Sequence, residues 1–156
     1  MITVEIPGWG KLELAHLVLD YNGTLAVDGA LLPGVAERLE RLSAQLQIHV
    51  VTADTFGKVR EQMRGLPCEV VVLPPGNQDR AKEDFVRKLG AGRVAAMGNG
   101  RNDRLMLRTA ALGVCTLQEE GVFSGTLRDA DVVVCSILDG LDLLLNPLRL
   151  VATLRS

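Results

Sequence analysis

The order of apolar and polar positions divides this chain into short elements. ITVEI (2–6) and KLEL (11–14) alternate apolar and polar residues on either side of PGWG, the pattern of a half-exposed β-hairpin. The alternation then stops. Leu17, Val18 and Leu19 are consecutive aliphatic residues, and similar runs follow at IHVVT (48–52), CEVVVL (68–73), RVAAMG (93–98), GVCTL (113–117) and ADVVVCSI (130–137). Runs of this length without alternation predict strands buried on both faces. Helical spacing fills the gaps between them. GVAERLERLSAQL (34–46) puts Val35, Leu39, Leu42 and Leu46 on one face, and residues 55–65 place Val59 and Met63 four apart. AKEDFVRKLG (81–90) is an amphipathic helix stopped by Gly90, and RLMLRTAALG (104–113) and LDGLDLLLNPLRLVATLR (138–155) read as two more helices. Strands alternating with helices predict an α/β fold, a mostly parallel sheet with helices on both faces, preceded by the hairpin.

Composition narrows this to one domain spanning residues 1–156. With 17 basic against 19 acidic residues, nothing electrostatic calls for nucleic acid or an anionic membrane as a partner. The N-terminus has no signal-peptide pattern, and no apolar run approaches the roughly 18 residues of a membrane span. Aromatic residues are 3% of the chain, so the core is expected to be Leu and Val. Cys68, Cys115 and Cys135 form no C-x-x-C motif; Cys115 and Cys135 sit in aliphatic runs and read as buried thiols. A reducing cytoplasm is the expected location. His16 and His49 flank strands and read as structural.

Chemistry concentrates just past the strands. Asp20, Asn22 and Thr24 follow the first; Thr52 and Asp54 follow the second; Asn99, Asn102 and Asp103 follow VAAM. In a parallel sheet these tips share one edge, where open α/β sheets place their ligands. Gly23, Gly98 and Gly100 let backbone amides approach an anion closely. Any one turn uses Asn, Asp and Gly; three such tips in one chain point to a hard-oxygen site suited to magnesium and a phosphate. A dinucleotide site is not indicated, because no G-x-G-x-x-G turn follows the first strand.

These motifs resemble the haloacid dehalogenase-like superfamily, and are most similar to the phosphorylation domain of P-type ATPases. DYNGTLA (20–26) resembles the nucleophile motif, VVTAD (50–54) the second motif, and AKEDFVRKLGAGRVAAMGNGRND (81–103) the stretch with a lysine, a short helix and Gly-Asp-Gly-x-Asn-Asp. The tail, with ADVVV and RLVATLR, is similar as well. The resemblance implies that Asp20 forms an aspartyl phosphate. It implies that Gly23, Thr52, Ala53 and Asn102 contact the phosphoryl group, and that Lys82 neutralises charge on it and on Asp20. Lys58 and Lys88 are rivals of Lys82 for that role. Mg2+ is the implied cofactor, held by Asp20, the carbonyl of Asn22, Asn99 and Asp103.

Two positions depart from the family pattern. Asn22 stands where superfamily phosphatases carry an acid/base aspartate, and Asn99 stands where the family has its first loop aspartate. An amide transfers no proton at neutral pH, so turnover is expected to be slow. The alternative is a weak or inactive phosphate-binding protein with a regulatory role. No cap fits: the 32 residues from Asp20 to Thr52 and the 30 from Thr52 to Lys82 are filled by elements already assigned. A capless site suits a phosphorylated small molecule or a phosphoprotein, or a lid from a second copy in a homo-oligomer. Trp9 at the hairpin tip is the candidate for such a contact. Glu119 and Glu120 read as a solvated turn, and the charged face of AKEDFVRK, apart from Lys82, as solvent-exposed.

Overall fold

A computed structural model describes residues 1–53 and 58–156. The N-terminal hairpin pairs β1 (Ile2–Ile6) with β2 (Gly10–Leu14) in antiparallel register, Val4 opposite Leu12. Its apolar positions face inward and Trp9 stays 44% exposed in the turn. The hairpin packs against α7 (Leu148–Leu154) and the 3-10 turn Ala91–Arg93.

Six parallel strands form the main sheet: β3 (His16–Leu19), β6 (Gln47–Thr52), β7 (Glu69–Val72), β8 (Val94–Gly98), β9 (Leu112–Thr116) and β10 (Val132–Val134), in the order β10-β9-β8-β3-β6-β7. The aliphatic runs are continuous because both faces are covered. Leu17, Leu19, Val50 and Met97 point to the layer of α1 (Val35–Ser43), α6 (Ile137–Leu145) and α7. Val18, Val51 and Ala96 point the other way, toward α3 (Gln78–Leu89) and α4 (Arg104–Thr109). A period of two divides one run between two cores. From β3 the chain builds outward through β6 and β7, then crosses back to β8 and builds the other way. The reversal leaves a crevice between β3 and β8 at their carboxyl ends.

Several elements differ from the sequence-based expectation. The long C-terminal helix is two helices, α6 and α7, because Pro147 offers no amide and keeps Asn146 out of the helical region, at φ −131° and ψ 72°. The helix expected over 104–113 stops at Thr109, and α3 starts at Gln78 rather than 81. Two elements were not foreseen: α5 (Ser124–Asp129) and the small hairpin β4 (Ala26–Val27) with β5 (Ala30–Leu31). Of the helix expected over 55–65, the described part is α2 (Lys58–Gln62). Cys115 is buried as expected, whereas Cys135 is exposed, since it leaves the sheet's edge strand β10.

Candidate active site

The three strands that carry the chemical motifs are neighbours, with β3 between β8 and β6. Leu19 pairs with Met97 on one side and Val50 on the other, so Asp20, Thr52 and Asn99 emerge side by side. The Asp20 amide donates to the Met97 carbonyl at 3.0 Å, which holds the start of the turn to β8. Above these tips lies a cavity of about 540 Å3, lined among others by Asp20, Asn22, Thr52, Ala53, Asn99 and Asn102.

Beneath the cavity Lys82, 0% exposed, projects from α3 between two carboxylates. Its Nζ donates to Asp20 Oδ1 at 2.7 Å and to Asp103 Oδ1 at 2.6 Å. Burial alone would pull this ammonium below lysine's ordinary value; attraction to Asp20 and Asp103, and hydrogen bonds to both, hold it above. One cation serves two anions. Burial first, and repulsion from Asp103 second, push Asp20 up to about 6 against the opposing pull of Lys82. Of the rival lysines, Lys58 lines the cavity and Lys88 is exposed on the outer face of α3.

Thr24 links the two loops that meet here. Its hydroxyl lies 3.1 Å from Asp20 Oδ2 and 3.2 Å from Asn99 Oδ1, and its single hydrogen can serve only one of them. Gly23, at φ +79°, makes this approach possible, since a Cβ there would come within 2.3 Å of the Asn99 amide nitrogen. Asn99 Nδ2 donates to the Gly121 carbonyl at 3.0 Å, which leaves Oδ1 facing the Thr24 hydroxyl. Asp103, expected to join the metal site, has both oxygens engaged elsewhere: Oδ1 by Lys82, and Oδ2 by the amides of Asn99 (3.0 Å) and Gly100 (2.8 Å). It closes the loop from below and does not line the cavity.

This donor set fits a hard divalent cation. Asp20 Oδ2 and Asn99 Oδ1 converge with lone pairs to spare, and Asn22 stands on the cavity wall beside them. Among the described residues no group of three His, Cys, Asp or Glu side chains could hold an ion, so amide and carbonyl oxygens would supply the remaining ligands.

No family model matches the chain. Over 63 residues, 40% of this chain and 68% of the relative, it is 51% identical to the uncharacterized protein MJ0073 of Methanocaldococcus jannaschii. The chain belongs to the family of that archaeal protein. Among solved structures it is similar to the 3-deoxy-D-manno-octulosonate 8-phosphate phosphatase of Moraxella catarrhalis, in complex with magnesium, phosphate and the sugar acid. The TM-score is 0.71 and the identity 15%, over 85% of this chain and 86% of that one. It is similar also to the cobalt-bound octulosonate 8-phosphate phosphatase of Haemophilus influenzae, with TM-score 0.72 and 13% identity over 92% and 94% of the two chains. The fold is thus the haloacid dehalogenase-like Rossmannoid fold, and these structural neighbours are phosphatases.

Asp20, Asn22, Gly23, Thr52, Ala53, Lys82, Asn99, Asn102 and Asp103 are gathered at this one sheet edge; Asp54 of the second motif lies outside the described residues. Two contributors were not foreseen as site residues. Gln78 lines the cavity and its Oε1 accepts from Asn102 Nδ2 at 3.1 Å. Its spacing four residues before Lys82, on one helical face, is a readable signal. Thr24 is a polar strand tip in the sequence, but its bridging position depends on Asn99, 75 residues away.

Proposed function

We propose that the protein is a magnesium-dependent phosphatase or phosphotransferase working through an aspartyl phosphate on Asp20. The observation that carries this reading is the fully buried Lys82 between Asp20 and Asp103, directly under a polar cavity at the carboxyl edge of the sheet. A lysine there keeps a buried carboxylate ionised and faces the charge of an incoming phosphoryl group. Asp20 Oδ1 attacks phosphorus while the bond to the leaving oxygen breaks; that oxygen takes its proton from solvent, because Asn22 has none to give. Water then attacks the phosphoryl group, releasing phosphate and regenerating the carboxylate, with its proton passing to solvent. Thr52, Gly23, Ala53 and Asn102 hold the phosphoryl oxygens. Asp20, the Asn22 carbonyl and Asn99 would hold magnesium, which would supply positive charge against those oxygens. The substrate is a phosphorylated small molecule or a phosphoprotein, and good leaving groups suffer least from the missing acid.

A second reading is a phosphate-binding module without turnover. It is favoured by the cavity wall, where Asp20 is the one carboxylate among the described lining residues. Hydrolysis of acetyl phosphate and p-nitrophenyl phosphate with magnesium separates the two, for wild type beside Asp20→Asn and Asn22→Asp. Turnover is expected to vanish in the first variant and to rise in the second toward the 10²–10⁴-fold typical of general acid–base help, roughly stated. Absence of turnover in both wild type and Asn22→Asp would favour the binding module.

A further inference from the structure

Between β9 and α5 the chain runs Leu117-Gln118-Glu119-Glu120-Gly121, a segment with no chemical motif of its own. Gln118 in it makes three contacts in two directions. Its Nε2 donates to the carbonyls of Gly23 (3.1 Å) and Thr24 (2.8 Å), and its Oε1 accepts from the Ile137 amide at 2.8 Å. A carboxamide has two hydrogens to give, and both go to the turn behind Asp20. Ile137 opens α6, and a helix's first amides need an outside acceptor. That need fixes which end of the carboxamide faces which way, so the donors must point at the turn.

From outside, the turn is also held by the Leu32 amide, which donates to the Leu25 carbonyl at 2.9 Å, and by the Thr24 hydroxyl, 3.2 Å from Asn99 Oδ1. The amides of Thr24, Leu25 and Ala26 all converge on one acceptor, the Tyr21 carbonyl, at 3.2, 2.9 and 3.1 Å. Gln118 is a tie of another kind, running along the carboxyl edge of the sheet from the turn after β3 to the start of α6 after β10. We infer that Gln118 is a positioning residue: it fixes the backbone of Gly23 and Thr24, thereby the Thr24 hydroxyl, and thereby the carboxylate of Asp20 that this hydroxyl meets. The catalytic consequence rests on the phosphoryl-transfer reading; the tie itself does not.

Two variants separate the roles. Gln118→Glu keeps an acceptor for Ile137 but has no hydrogen for the turn, while Gln118→Met loses both. Hydrogen exchange is read first, without metal or phosphate. In Gln118→Glu the amides of Thr24, Leu25 and Ala26 exchange about tenfold faster or more, while those of Ile137 and Leu138 keep the wild-type rate. In Gln118→Met both sets speed up. Acetyl phosphate turnover with magnesium is read second: in Gln118→Glu kcat falls about tenfold with KM within about twofold of wild type, the split expected when an attacking group is misplaced. Wild-type exchange of the turn in Gln118→Glu overturns the inference, as does faster exchange with unchanged kcat. Should the wild type turn nothing over, the functional reading fails, and the exchange comparison alone decides whether Gln118 holds the turn.

Discussion

Replacing Lys82 by methionine tests the centre of the site by its energetics. The side chains are similar in length and volume, so the change removes charge more than packing. At 2.7 Å and an effective permittivity near 20, each contact of Nζ with a carboxylate is worth roughly 6 kcal/mol of attraction. Taking the ammonium out of water returns several kcal/mol per ion, so the gross figure is not the net one. Removing one partner of a buried cluster nonetheless leaves Asp20 and Asp103 facing each other unpaired, and such losses run to about 3–5 kcal/mol. Urea unfolding at pH 8 should show this as a midpoint lower by about 2 M, at a slope of roughly 2 kcal/mol per molar. The loss also has a sign in pH. Burial, then Asp103, raise Asp20 to about 6 from an ordinary 3.8, and Lys82 restrains that rise. Without the lysine Asp20 goes higher. A carboxyl raised in the folded state costs stability above its folded value, and that cost fades as pH falls toward its unfolded value. The difference between wild type and Lys82→Met should therefore shrink from pH 8 to pH 5. A loss under about 1 kcal/mol at pH 8, or one that grows on acidification, would refute the reasoning.

Gly98→Ala should damage the same cluster from the side, because a Cβ there would stand 2.5 Å from Asp103 Cγ, which three partners hold in place. A loss of about 1–3 kcal/mol in urea unfolding is expected, with turnover falling alongside it; unchanged stability would mean that Asp103 is less fixed than its bonds suggest. At the opposite sheet edge, burial first, then His49 and Arg93, hold His16 below its ordinary 6.5. The folded state binds that proton less readily than the unfolded, so this contribution is present above about 6.5 and is lost as pH falls below it. His16→Gln should lose less stability than wild type between pH 7.5 and 5.5 in paired urea titrations, and parallel slopes would contradict this.

The sheet was legible because each of its strands is a local signal, an aliphatic run that two helix layers cover. The candidate site was legible for a related reason: its polar residues sit at fixed offsets from those runs, and parallel strands bring such offsets together. What escaped depends on partners far along the chain. Glu83 lies on a helix face expected to be exposed, yet it is buried, because Arg80, Arg87 and Thr109 satisfy its carboxylate. Gln118 carries no local signal at all, since its partners lie 95, 94 and 19 residues away. The break at Pro147 was written in the sequence, and a continuous amphipathic pattern on both sides of it masked the stop.

The Gly121 carbonyl that receives the Asn99 amide has a bearing on how this site can change over generations. An aspartate at position 99 would point its second oxygen at that carbonyl oxygen, about 3 Å away, where the amide now gives a hydrogen. The substitution Asn99→Asp thus meets repulsion from the Gly121 carbonyl. A carboxylate at position 99 needs the Leu117–Phe123 segment to turn Gly121 aside first. The asparagine is entrenched by its neighbour, and a lower melting midpoint of Asn99→Asp, relieved by a second change in that segment, would be the mark of it.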